Sequence, residues 1–313
     1  MSTRMAARAL SFNSTNVRNS IGFAWHRLAL AVSSALAPER AVARAARLFA
    51  TPPRHAHTPR ELELLRTGRG FTVHVGFVRI AGWRFGNEES PAVVVSHGWG
   101  GRGAQFRHFV APLVEAGYQV VLFDHEGHGL SEGREASLVH FIKALEAVVD
   151  TLERGGARVA GLVGHSLGAA AVGAYLNASG RALRAVLLAP TTSLERYSGY
   201  FARRLGIPER IRAAMQERFE RRLGRRWQEF ELPHSVARVN APALVVHDRD
   251  DRDVGFASGE ALASAWQGAR LVATRGLGHR GVLRDAEVVR DAVDFIASRT
   301  HFAAPFEQPA PLL

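Results

Sequence analysis

A mostly parallel eight-stranded α/β sheet with helices on both faces is the architecture the sequence predicts, on three observations. From Phe71 onward, apolar runs short enough for strands alternate with longer stretches of helical spacing. Several of these runs, Ala92–Ser96 and Gln119–Phe123 among them, are rich in Val, Leu and Ala, as strands buried on both faces should be. From the third run on, each strand is followed by a helix, the order that parallel pairing requires.

The strands are read at Phe71–Val75, Val78–Phe85, Ala92–Ser96, Gln119–Phe123, Val159–Val163, Ala185–Ala189, Ala243–His247 and Arg270–Thr274, with Gly76 and Gly86-Asn87 marking the early turns. Residues 1–70 read as a helical extension. Within it, Glu39–Phe49 sets Val42, Ala45, Ala46 and Phe49 at helical spacing against Arg40, Arg44 and Arg47, and Thr51-Pro52-Pro53 ends the run. Such a helix packs on its own domain or lies on a membrane surface; packing is expected, with peripheral membrane contact as the alternative. No run reaches the ~20 apolar residues of a membrane span, because His26 and Arg27 break the nearest one. Leu28–Leu36 has the length of an export signal's apolar region, with Arg4, Arg8 and Arg18 ahead of it and a cleavage-like Ala35-Leu36-Ala37. The leading region is long for a signal, and Ser33 and Ser34 interrupt the run. A cytoplasmic location is therefore expected, with export or membrane-surface association as alternatives.

The core is read as residues 71–190 and 241–300. Between them residues 191–240 are too many for one crossover helix, and they carry Tyr197, Tyr200, Phe201, Phe219, Trp227 and Phe230. They are expected to form a helical cap inserted after the sixth strand, and residues 301–313 a proline-bearing tail. Nine arginines crowd Arg203–Arg226, either as a solvated helix face or as a cationic rim that draws in acidic esters. The chain has no cysteine, which excludes disulfides, cysteine-ligated metals and thiol nucleophiles together. Its net charge is +11, with Lys143 the only lysine. The arginines are dispersed and no nucleic-acid motif accompanies them, so nucleic-acid binding is not expected.

Gly164-His165-Ser166-Leu167-Gly168 stands between a strand and the alanine-rich Ala169–Leu176. A turn so tight leaves no room for side chains beside the serine, hence the glycines, and it lifts the Ser166 hydroxyl clear of the sheet as a nucleophile. His279, in Gly276-Leu277-Gly278-His279-Arg280 after the last strand, is the candidate base, since imidazole titrates near neutrality. Asp248, Asp250, Asp251 and Asp253 follow the seventh strand as candidates for the acid behind it. His125-Glu126-Gly127-His128 lacks the spacing of a helical zinc pair, the aspartates lack that of an EF-hand, and Gly98–Gly103 lacks the Lys-Ser/Thr of a phosphate loop. No metal or other cofactor is expected.

Over Phe71–Ser298 the chain resembles the α/β-hydrolase superfamily. The resemblance rests on the serine motif, on His97-Gly98-Trp99-Gly100 after the third strand, on Asp124-His125-Glu126-Gly127-His128-Gly129-Leu130-Ser131 after the fourth, and on the order Ser, Asp, His. It implies a catalytic Ser166 with His279 as its base, and an oxyanion hole of two backbone N–H groups, from Leu167 and Trp99. It makes His97 a turn-stabilising residue. The family's D-x-x-V pattern selects Asp251, three before Val254, with Asp250 as rival; Gly255 stands where the family usually has proline. The implied activity is that of a serine carboxylesterase acting on a small-molecule ester. Thioester, lipid or carbon–carbon hydrolysis on the same triad, or a non-catalytic binding protein on this scaffold, are the alternatives. A serine rather than an aspartate at the nucleophile position argues against the family's epoxide hydrolases and haloalkane dehalogenases.

Overall fold

The computed structural model describes residues 14–298, with side chains from Trp25 onward. The tail 301–313 and the leading Arg4 and Arg8 lie outside the described residues. Helices α1 Ser14–Leu36, α2 Pro38–Ala50 and α3 Pro59–Thr67 precede strands β1 Arg69–Val75 and β2 Val78–Phe85. Then β3 Ala92–Ser96, α4 Arg107–Glu115, β4 Gln119–Phe123, α5 Leu138–Arg154, β5 Val159–His165, α6 Leu167–Ser179 and β6 Arg184–Leu188 alternate. The insertion holds α7 Leu194–Leu205, α8 Glu209–Leu223 and the single turn α9 Leu232–Ser235. After it come β7 Ala243–Asp248, α10 Ala257–Ala265, β8 Ala269–Thr274, α11 Gly278–Gly281 and α12 Ala286–Ala297.

The chain divides into two compact units, one built on α1, α2 and Arg196–Gly224, the other on Ala50–Glu195 and the residues from Arg225 on. The second unit carries one sheet in the order β1-β2-β4-β3-β5-β6-β7-β8. β1 pairs antiparallel with β2 and β2 with β4, while the remaining neighbours are parallel. Side chains alternate between its faces. Val94, Val121, Leu162, Leu187 and Val245 pack with α5 and α6. Val93, Val95, Val163, Val186 and Val246 pack with α4 and α12 on the other side. Because the chain leaves β3 toward β4 and returns to β5 on its other side, the loops after β3 and β5 diverge. That divergence opens a crevice at the strands' carboxyl ends.

The strand reading holds to within a residue or two at each end. β5 runs on through His165, whereas β6 stops at Leu188 because Ala189 turns to φ +45°. Helix α3 falls inside the extension read as helical, although no separate helix is read there. Its signal is a capping box: Thr58 Oγ1 accepts from Glu61 N while Glu61 accepts from Thr58 N. Glu61 also takes two hydrogen bonds from Arg102, at 3.0 and 2.7 Å, which ties α3 to the loop after β3.

In the first unit, Leu30 of α1 and Ala41 and Ala45 of α2 are fully buried. The Phe49 ring meets Tyr197, Phe201 and Phe219 at 5.2–5.7 Å between centroids. Arg212 is drawn inside by Glu209, Ser198 and Gln216, so the arginine run is not uniformly a solvated face. No helix among the described residues is long and apolar enough to cross a membrane.

Candidate active site

Ser166 sits between β5 and α6 at φ +54°, ψ −117°, a conformation that costs a non-glycine residue on the order of 1–3 kcal/mol. Its neighbours hold it there: Ser166 N donates to Leu188 O at 2.9 Å, and its carbonyl accepts from Ala170 N and Thr191 N. The two flanking glycines are required by close approach of backbone. A Cβ on Gly164 would lie 2.6 Å from Ala169 Cα, and one on Gly168 would lie 2.2 Å from Ser96 O and 2.4 Å from His97 O. Gly168→Ala is therefore expected to destabilise by at least the ~1–3 kcal/mol typical of overpacking, since the obstructing atoms are main chain. A urea midpoint within error of wild type would refute this.

The loop after β3 lies against the serine: a Cβ on Gly98 would come within 2.9 Å of Ser166 Cβ. Among the described residues, neither the Trp99 nor the Leu167 N–H donates to a protein acceptor, and Leu167 opens α6. Histidines brace this loop through neutral rings. His97 Nε2 accepts from His125 N at 3.0 Å and its Nδ1–H donates to Gly98 O at 2.8 Å. His128 Nε2 accepts from Gly100 N at 3.0 Å while its Nδ1–H donates to Glu126 O. Burial, with the nearby His128, pushes His97 well below the usual imidazole range, and burial takes His128 down to about 4. Asp124 and Ser131 of the same motif are structural. Asp124 accepts from Gly103 N and Leu130 N, and Ser131 Oγ bridges Asp124 O and Ala81 N.

His279 lies in α11, entered through Gly276 and Gly278 at φ +76° and +62°. Its Nδ1–H donates to Asp251 Oδ2 at 2.8 Å. Asp251 is buried, and its Oδ1 accepts from Asp253 N and Val254 N. His247 Nε2 donates to Val254 O at 2.9 Å and lies 3.4 Å from Asp251 Oδ2. Burial alone would raise the Asp251 carboxyl. The bonds from His247 and His279 outweigh it and hold the group far below the ordinary carboxylate range. Asp250 faces elsewhere, accepting from Gly276 N at 3.0 Å.

His279 and Asp251 are thus in direct contact. Ser166 is linked to them through its neighbour: His165 Nε2–H donates to His279 O at 2.8 Å, and the two rings lie 4.7 Å apart. Among the described residues no hydrogen bond joins Ser166 to His279, and the serine hydroxyl rests 3.2 Å from Thr191 Oγ1. Thr191 has no motif to announce it. Asp248, another of the candidate acids, also faces away from the ring: its carboxylate is fully buried and takes Asp250 N, Thr274 Oγ1 and Leu277 N. Among the described residues no group of three potential ligands could hold a metal ion.

An eight-stranded sheet of this order, with a serine on the turn between its fifth strand and the next helix, is the α/β-hydrolase fold. The family model described as serine aminopeptidase, S33, matches residues 87–234. Epoxide hydrolase B of Mycobacterium tuberculosis is 37% identical over 84 residues, 26% of this chain and 24% of that protein. The chain therefore spans about a quarter of that curated relative's length. An esterase of Pyrococcus furiosus superposes with a TM-score of 0.60 at 20% identity, covering 79% of this chain and 98% of the esterase. A bacterial membrane phospholipase A does so with a TM-score of 0.58 at 18% identity, covering 89% of this chain and 97% of the phospholipase. These two likenesses establish the fold alone.

Proposed function

We propose that the chain hydrolyses carboxylic esters through an acyl-enzyme on Ser166, with His279 as general base and then acid and Asp251 behind it. One observation carries the reading: a strained serine, two uncommitted backbone N–H groups and a carboxylate-held imidazole share the carboxyl end of one sheet. For reaction, the Ser166 hydroxyl leaves Thr191 and gives its proton to His279 Nε2 as Oγ attacks the ester carbonyl. The carbonyl oxygen becomes an oxyanion that accepts from Leu167 N–H and Trp99 N–H; one such donor is typically worth ~10²–10³ in rate. Asp251 steadies the imidazolium, which protonates the departing alkoxide. Water, deprotonated by His279, then attacks the acyl-enzyme and releases the acid and the free serine.

The nucleophile's chemistry separates this reading from epoxide opening. A carboxylate attacking an epoxide leaves an ester that water can hydrolyse, whereas Ser166 would leave an ether with no carbonyl for water to attack. Thioesters and lipid esters need no different machinery, so chain length and leaving group fall to experiment.

A fluorophosphonate probe, a series of p-nitrophenyl esters from acetate to palmitate, an aminoacyl anilide and an aryl epoxide test the proposal together. Wild type should be labelled and turn over esters, and Ser166→Ala should lose both. Turnover of the epoxide that survives in Ser166→Ala would overturn the mechanism. Folded wild type that takes no label would favour a binding protein on this scaffold.

A further inference from the structure

We propose that the unit built on α1, α2 and α8 docks on anionic phospholipid bilayers, placing Trp25, Leu28, Val32 and Leu36 among the upper acyl chains and a cluster of arginines against the lipid phosphates. The four apolar residues are separated by three, four and four positions, so helical geometry gathers them into one stripe along α1. Their exposures are 65%, 56%, 49% and 81%, while Leu30 and Ser34 on the opposite side are buried. Single exposed apolar residues are ordinary on a protein surface, but an aligned row of four headed by a tryptophan is a contact surface.

Two residues beyond Leu36, Pro38 opens the wall of a cavity of about 600 Å³ on the same unit, which has Arg40, Arg210, Arg218 and Arg221 in it. Val42 and Ile211 supply apolar lining, and Glu39 is the one carboxylate there. Arg210 Nη2 donates to Ser34 O at 2.7 Å, which fastens the cationic cavity to the carboxyl end of α1. Arg221 meets exposed Glu217 at 3.4 Å, and Arg40 and Arg218 have no carboxylate partner among the described residues. An aromatic and aliphatic stripe flanked by arginines matches a bilayer surface rich in anionic lipid, which offers chains and phosphates together. A second copy matches it poorly, because pairing two such faces sets the same arginines against each other in a chain of net charge +11. With no described helix fit to span a membrane, the contact is with its surface. The proposal is independent of the ester chemistry.

Co-sedimentation of the full chain with phosphatidylcholine vesicles, with and without about one third phosphatidylglycerol, is the direct test. Wild type should partition onto the anionic vesicles, less so as salt rises. The variant Trp25→Ser/Leu28→Ser/Leu36→Ser should lose about tenfold or more of that partitioning. The variant Arg40→Ser/Arg218→Ser/Arg221→Ser should lose the preference for phosphatidylglycerol and the salt dependence. Trp25→Phe, a mild change, should lose much of the fluorescence quenching that lipid brominated on its acyl chains imposes on wild type. Wild type that stays in the supernatant would overturn the proposal. So would serine variants that bind as wild type does, or Trp25→Phe with unchanged quenching. A dimer that the stripe variant dissolves without altering vesicle binding would assign the surface to a second copy instead.

Discussion

Asp251→Asn is expected to lower kcat/KM for an ester by about 10⁴, the scale of the same change in a trypsin-like triad, with the melting temperature nearly kept. Asp251 Oδ2 accepts the His279 Nδ1–H at 2.8 Å, while Oδ1 is committed to Asp253 N and Val254 N. With Oδ1 so committed, an asparagine would aim its NH₂ at the ring. Histidine could meet that donor only by moving its proton to Nε2, which would leave no base toward Ser166. Asp250→Asn should cost less than about tenfold, because its carboxylate accepts from Gly276 N and not from the ring. Asp248→Asn separates a positional role from a chemical one. Asp248 latches Thr274 and Leu277, the approach to the His279 loop, so the expected loss is in stability first. If Asp250→Asn is crippling and Asp251→Asn mild, the loop after β7 does not sit as described.

The sheet was legible because strands buried on both faces carry their apolar runs openly in the sequence. The serine turn was legible because only glycine tolerates backbone oxygens within 2.4 Å of a Cβ position, and that demand leaves a pattern at fixed offsets. The joining of α1 and α2 with Arg196–Gly224 was not legible. Helical periodicity says that a face is apolar, not which distant segment covers it, and about 150 residues separate α2 from α7. Likewise His247 and Thr191 are ordinary in sequence: Thr191 reaches Ser166 because β6 lies beside β5, and His247 reaches Asp251 because the loop after β7 folds back on its own strand. Local spacing encodes the nucleophile; the groups that steady it come from across the sheet.

Folding stability is expected to be level above about pH 7 and to fall steadily as pH drops toward 4, through histidines rather than through the usual carboxylates. His97, His125, His128 and His165 are all buried. Burial, aided for His125 by His97 and for His165 by His279, holds His97 and His125 well below the usual imidazole range, His128 at about 4 and His165 at about 3. The hydrogen bonds agree, since Nε2 of His97 and of His128 accepts a backbone N–H and has no room for a proton. The unfolded chain takes up these protons near pH 6.5 and the folded chain does so only far lower. Over that interval the unfolded state binds more protons, and stability declines with falling pH. For His128 alone the interval corresponds to roughly 3 kcal/mol by pH 4. Asp124 and Glu126, whose carboxyls burial raises, act in the opposite sense, but they are two against four. Asp251, held low, adds its own loss only under more acidic conditions, as pH falls below its unfolded value. Guanidinium midpoints at fixed ionic strength would follow this directly, and His128→Gln should reduce the slope by up to about 1.4 kcal/mol per pH unit. A midpoint that stays constant between about pH 7 and 5 would mean that these rings are charged in the folded protein. The bracing of the Gly98–Gly100 turn by neutral imidazoles would then be wrong.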